Sequence, residues 1–110
     1  MKTTYEAYSE ACNGTSIKEN EKIVLKSKHL HYSYLFARYV PGANIKDHEQ
    51  VILESKDINY CYLFAKYVKE SNKEELFKVV LKSGHQDYID LFLKDIDFDK
   101  EKFVNYLLFI

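Results

Sequence analysis

The sequence predicts an all-α fold made of tandem helical hairpins, and three observations lead there. Gly 3 and Pro 1 in 110 residues supply too few turn formers for a many-stranded sandwich or barrel. Apolar residues recur at helical rather than strand spacing: Tyr32, Leu35, Phe36, Tyr39 and Val40 fall at i, i+3, i+4, i+7 and i+8, the stripe of an amphipathic helix. Finally, the chain repeats itself.

A shift of 28 residues aligns segments 23–50, 51–78 and 79–106 without a gap. The first two agree at 11 of 28 positions and the second and third at 7, against roughly two expected from ordinary composition. Five columns are invariant: Leu25/Leu53/Leu81, Ser27/Ser55/Ser83, Tyr32/Tyr60/Tyr88, Leu35/Leu63/Leu91 and Phe36/Phe64/Phe92. Upstream, Gly14, Ile17, Lys18 and Glu21 stand 28 residues before Gly42, Ile45, Lys46 and Glu49. The expected organisation is one domain over 1–110, with half unit 1–22, the three repeats, and a terminal half unit 107–110.

In chain order the predicted helices span 3–12, 16–27, 29–40, 44–55, 57–69, 72–83, 85–95 and 99–110. Ser16 with Glu19, Asn44 with Asp47 and Asn72 with Glu75 have the three-residue spacing of an N-cap and its reciprocal partner. Asp57 is the expected cap of its own helix. Pro41-Gly42 closes one helix, and Ser55-Lys56-Asp57 is a tight link between two others. One hairpin cannot bury its own stripe, whereas hairpins stacked in register can. The expected architecture is therefore a short right-handed α-solenoid of about eight helices. Ser33, Ala37, Cys61 and Ala65 are the small residues where neighbouring helices approach closely, and Tyr32, Tyr60, Tyr88, Tyr39 and Tyr67 are expected on the core stripe. Ser27, Ser55 and Ser83 are candidate partners for the tyrosine hydroxyls.

In architecture the repeat resembles the tetratricopeptide, ankyrin and HEAT arrays, with a shorter period and without their signature motifs. ESKDINYCYLFAKYV (54–68) and SYLFARYVPGANI (33–45) are similar to a short repeat of uncharacterised bacterial and phage proteins. Its Gly-Ala-Asn-Ile run is kept at 42–45 and lost in the later units. The resemblance implies an architecture and transfers no catalytic residue.

The residues that could carry chemistry have plainer readings. His29, His31, His48 and His85 form no cluster with ligand spacing, so no metal or other cofactor is expected. Cys12 and Cys61 read as small buried residues. Gly14, Gly42 and Gly84 are isolated, so no phosphate loop exists. Asp87, Asp90, Asp95, Asp97 and Asp99 read as a solvated acidic end, although Asp95 stands unexplained in the column of Tyr39 and Tyr67.

Charge and hydropathy exclude other classes. Lys+Arg 16 against Asp+Glu 17 offers no cationic surface for nucleic acid. No apolar run reaches the roughly 20 residues of a membrane span, and 1–6 carries no signal-like apolar segment, so a cytoplasmic location is expected. The face left for recognition carries His31, Tyr34 and Arg38, then Asn59, Tyr62 and Lys66, then Asp90 and Lys94. Aromatic and basic side chains of that kind are favoured at protein interfaces. The expected function is a non-catalytic module that binds a partner protein there. The alternative is a small phage- or bacterium-encoded inhibitor or immunity protein that blocks a host or toxin enzyme. A third reading is an enzyme using the acidic cluster. The apolar end Tyr106–Ile110 is expected either to fold back on Phe92 and Ile96 or to pair with a second copy in a homodimer.

Overall fold

A computed structural model describes residues 2–107, and it is all-α over that range. Seven main helices follow one another: α1 (Thr4–Cys12), α2 (Ile17–Ser27), α3 (Leu30–Tyr39), α4 (Ile45–Ser55), α5 (Ile58–Tyr67), α6 (Lys73–Ser83) and α7 (Gln86–Asp95). The starts of α2, α4 and α6 are 28 residues apart, as are those of α3, α5 and α7. In place of the long last helix expected over 99–110 there is a 3₁₀ turn, Lys100–Phe103, then a short helix α8, Val104–Leu107. The rest of that expected helix lies outside the described residues.

Hairpin partners α1/α2, α3/α4 and α5/α6 pack together, the odd helices touch one another along the molecule, and so do the even ones. The helices thus lie in two rows within an envelope of 50 × 20 × 17 Å.

The invariant serine explains the tight link. Ser27, Ser55 and Ser83 each donate to the carbonyl three residues back, at 2.6, 2.6 and 2.5 Å. Each also accepts from the amide two residues on, at 3.2, 3.1 and 3.2 Å. One hydroxyl so satisfies groups on both sides of the chain reversal, in place of the tyrosine-bonding role expected for it. Between those amides the chain turns through a left-handed residue: Lys28 (φ 55), Lys56 (φ 57) and Gly84 (φ 73). Glycine suits that position and lysine does not.

Caps follow the sequence in part. Asn44 and Asn72 accept from the amides of Asp47 and Glu75, and Asp57 from that of Tyr60. Ser16 does not cap α2; its own backbone is left-handed, with φ 43. A full capping box appears instead at Thr3 and Glu6.

The buried stripe of α3 and its C-cap is Ser33, Phe36, Ala37 and Val40, and that of α5 and its C-cap is Cys61, Phe64, Ala65 and Val68. It is rotated from the stripe expected. Tyr39 and Tyr67 are 54% and 42% exposed, whereas Tyr34, expected on the outer face, is only 5% exposed. Small residues let the helix axes approach, and tyrosines keep a wet edge for their hydroxyls. Cys12, expected inside, is exposed.

The apolar interior is two clusters rather than one. Ala7, Ala11, Val24, Phe36 and Val40 form the first; Ile52, Phe64, Phe77, Val80, Ile89 and Phe92 are among the second. At the far end Phe98 and Phe103 pack on Phe77, with ring centroids at 4.9 and 5.0 Å. Aromatic side chains of the C-terminal segment therefore cover that end of the second cluster. The side chains from Tyr106 onward, on which the cap-or-homodimer expectation rests, lie outside the described residues.

Replacing Lys56 by glycine should raise stability by about 1 kcal/mol, and Gly84→Ala should lower it by a similar amount. No atom lies within 4 Å of a Cβ built on Gly84, so only backbone strain opposes the alanine. Denaturant midpoints that move in the same direction for both variants would contradict this account.

Candidate functional site

Two sets of side chains join successive units, one buried and one at the surface. The buried set begins with Glu21 and Glu49, 7% and 8% exposed. Glu21 accepts from the backbone amide of Asn44 at 2.7 Å, and Glu49 from that of Asn72 at 2.6 Å. Each carboxylate therefore holds the N-cap of the next even helix, taking the amide that a capping box would satisfy locally. Beside the first, His48 is fully buried, its Nε2 lies 2.9 Å from Glu21 Oε2, and its ring stacks on Phe36 at 5.0 Å. His48 is thus a packed link between units. Burial holds its pKa below the ordinary 6.5 against the opposing pull of Glu21, and burial also raises the pKa of Glu49. In the second repeat, 51–78, the same columns carry Leu76 and Phe77, and the polar link gives way to the aromatic cluster.

The surface set runs along the odd helices and contains the residues singled out for recognition. His31 Nδ1 lies 3.1 Å from the Tyr60 hydroxyl, and Tyr88 donates to Asn59 at 3.2 Å. These are the partners that those tyrosines use. Arg38 donates to Tyr34 at 2.9 Å and lies over the rings of Tyr39 and Tyr67, 4.8 and 4.2 Å from their centroids. One unit on, Lys66 donates to Tyr62 at 3.2 Å and lies 3.8 Å from Asp95, to which Tyr62 also donates. Asp95 therefore occupies an exposed tyrosine column, which removes the puzzle of a carboxylate on a core stripe. That hydrogen bond raises the Tyr62 pKa and lowers the Asp95 pKa, and Lys66 is raised chiefly by its bond to Tyr62.

Of the expected recognition residues, His31, Arg38, Asn59, Lys66, Asp90 and Lys94 are exposed, Tyr62 is half-buried and Tyr34 is buried. Six of the eight, through Lys66, sit in this ladder, while Asp90 accepts from Gln86 at 2.8 Å on its own helix. Tyr39 and Tyr67, missed as surface groups, are its most exposed aromatic members. Their hydroxyl-bearing rings at the last turn of each odd helix are the signal that could have placed them outside.

Burial pushes the Cys61 thiol up to about 12, which leaves little thiolate near neutrality. Among the described residues no group of three or more His, Cys, Asp or Glu side chains could hold a metal ion. No helix among them is long and apolar enough to cross a membrane. Comparison with protein-family models, with curated proteins and with solved structures finds no match, so the likeness to bacterial and phage repeats rests on the motif alone.

A histidine whose folded pKa is depressed stabilises above its unfolded value and loses that contribution as pH falls through the folded value. Stability should therefore decline below about pH 6.5 more steeply in the native chain than in His48→Asn, which borrows the residue of the same column, Asn20. Urea melts across that range would test this; parallel curves would show that His48 does not set the slope.

Proposed function

We propose that the chain is a short α-solenoid, one domain of about 28-residue units, that acts without catalysis by binding a partner protein along its odd helices. One observation carries the reading: the Arg38 guanidinium lies over the rings of both Tyr39 and Tyr67, which are themselves exposed. Stacked tyrosine and arginine give a large, amphipathic contact area, and mutual stacking holds the side chains in place before a partner arrives. Such preorganisation lowers the entropic cost of association. The surrounding groups, His31, Asn59, Lys66 and Asp95, are polar and already hydrogen-bonded or ion-paired within the chain. They suit the wet rim of an interface around an aromatic centre.

This revises the recognition surface rather than abandoning it. Tyr34 belongs beneath it, as a support for Arg38, and Tyr39 and Tyr67 take its place.

A triple variant Arg38→Ala, Tyr39→Ala, Tyr67→Ala should keep its helical content and melt within a few degrees of the native chain, since the truncated groups are exposed. Captured from extracts of the source cells, the partner retained by the native chain should be lost by the variant, with affinity down at least about 100-fold. Equal recovery of the same partner by both would exclude this face.

A further inference from the structure

The side of the molecule lined by the even helices carries a feature that repeats with the chain. Three grooves open there. The first, about 550 Å³, is lined in part by Ile23, Lys26 and Ser27. The second, about 260 Å³, has Val51, Glu54 and Ser55 with Lys28. The third, about 690 Å³, has Val79, Lys82 and Ser83 with Lys56. Three 28-residue columns, Ile23/Val51/Val79, Lys26/Glu54/Lys82 and Ser27/Ser55/Ser83, line all three grooves, and Lys28/Lys56 lines the second and third, so a shared set of positions is presented three times. Every floor is a half-buried β-branched residue: Ile23, Val51 or Val79.

Their charge is not that of the whole chain. The three grooves bring together six lysines, namely Lys2, Lys26, Lys28, Lys56, Lys78 and Lys82, against Glu54 and Glu75, while the chain as a whole is at -1. Lys2 is tied to Glu10 at 2.7 Å and Lys78 to Glu75 at 2.9 Å. Lys26, Lys28, Lys56 and Lys82 are exposed and make no ion pair among the described residues. Helix C-termini favour cations, which explains a lysine in a last turn but not apolar-floored grooves recurring beneath them.

We infer that this row of grooves binds an extended acidic peptide segment of a partner protein, one carboxylate-bearing side chain to each groove. Neighbouring packed helices lie about 8–10 Å apart, and an extended chain advances about 3.3 Å per residue. Acidic residues about three apart in the peptide therefore match successive grooves. Apolar contacts with Ile23, Val51 and Val79 hold the intervening residues, and the free lysines select the charge. Because Glu54 replaces the lysine of its column, the middle groove holds its carboxylate through Lys28 alone. The surface is separate from the tyrosine–arginine face and does not depend on it.

The test uses the full chain and a fluorescent nonapeptide with glutamate at every third position among serine and valine, with its all-glutamine counterpart. Anisotropy should give saturable binding of the glutamate peptide, about tenfold or more weaker for the glutamine one, and weaker as salt rises from about 50 to about 200 mM. Lys28→Ala, Lys56→Ala, Lys82→Ala in one chain should reduce affinity about tenfold or more, with an unchanged circular dichroism spectrum. No binding of the glutamate peptide, equal binding of the two peptides, or an unaffected folded triple variant would each overturn the proposal. Tighter binding of a single-stranded oligonucleotide of matching length would overturn it in favour of nucleic acid. The comparison of peptides is made on the native chain, so it decides even if the variant does not fold.

Discussion

A buried carboxylate that accepts the first amide of a helix in the next unit is the contact on which the array depends. Glu21 and Glu49 make it at 2.7 and 2.6 Å, to Asn44 and Asn72. Even helices one unit apart would otherwise be free to slide, because interdigitated aliphatic side chains accept small shifts in register. A hydrogen bond from a single amide to a charged group buried beside it does not. Breaking it at Glu49 would leave a buried charge without its hydrogen bond, at a cost of several kcal/mol, whereas Glu21 would keep His48. The link specifies position more than it adds stability, since burying the charge opposes much of what the bond contributes.

The same constraint explains where the repeat changes character. After α7, where a further even helix would begin, stands a 3₁₀ turn capped by Asp99 rather than an asparagine-capped helix. The glutamate column ends there, at position 77. Phe77 takes its place, and Phe92, Phe98 and Phe103 gather around it. The polar link belongs between units and the aromatic plug to the end. His48 marks the other transition, stacked on Phe36 of the first apolar cluster one helical turn before Ile52 of the second.

Stacking in register also multiplies surface features. On the odd-helix side it brings a cation of one unit to the aromatic or acidic residue of the next: Arg38 to Tyr67, Lys66 to Asp95. On the even-helix side it repeats a groove with a β-branched floor. A change such as tyrosine to aspartate at position 95 then alters one rung without disturbing the helices, since the position is exposed. This is how a repetitive scaffold carries a non-repetitive surface.

Much of the helix order was legible because two local signals agree: the 28-residue spacing and the caps Asn44, Asp57 and Asn72. Close-range chemistry sets both, and neither needs a neighbour. The facing of the helices was not legible. Periodicity groups Tyr32, Tyr39 and Leu35 on one side, but a side is buried only where another helix covers it. The odd helices meet their neighbours through Ser33, Ala37, Cys61 and Ala65, which turns Tyr39 and Tyr67 out and Tyr34 in. Nor could the sequence show that Glu21 and Glu49 lie inside. A glutamate reads as a surface residue until a distant amide needs an acceptor, and only the assembled units bring that amide within reach.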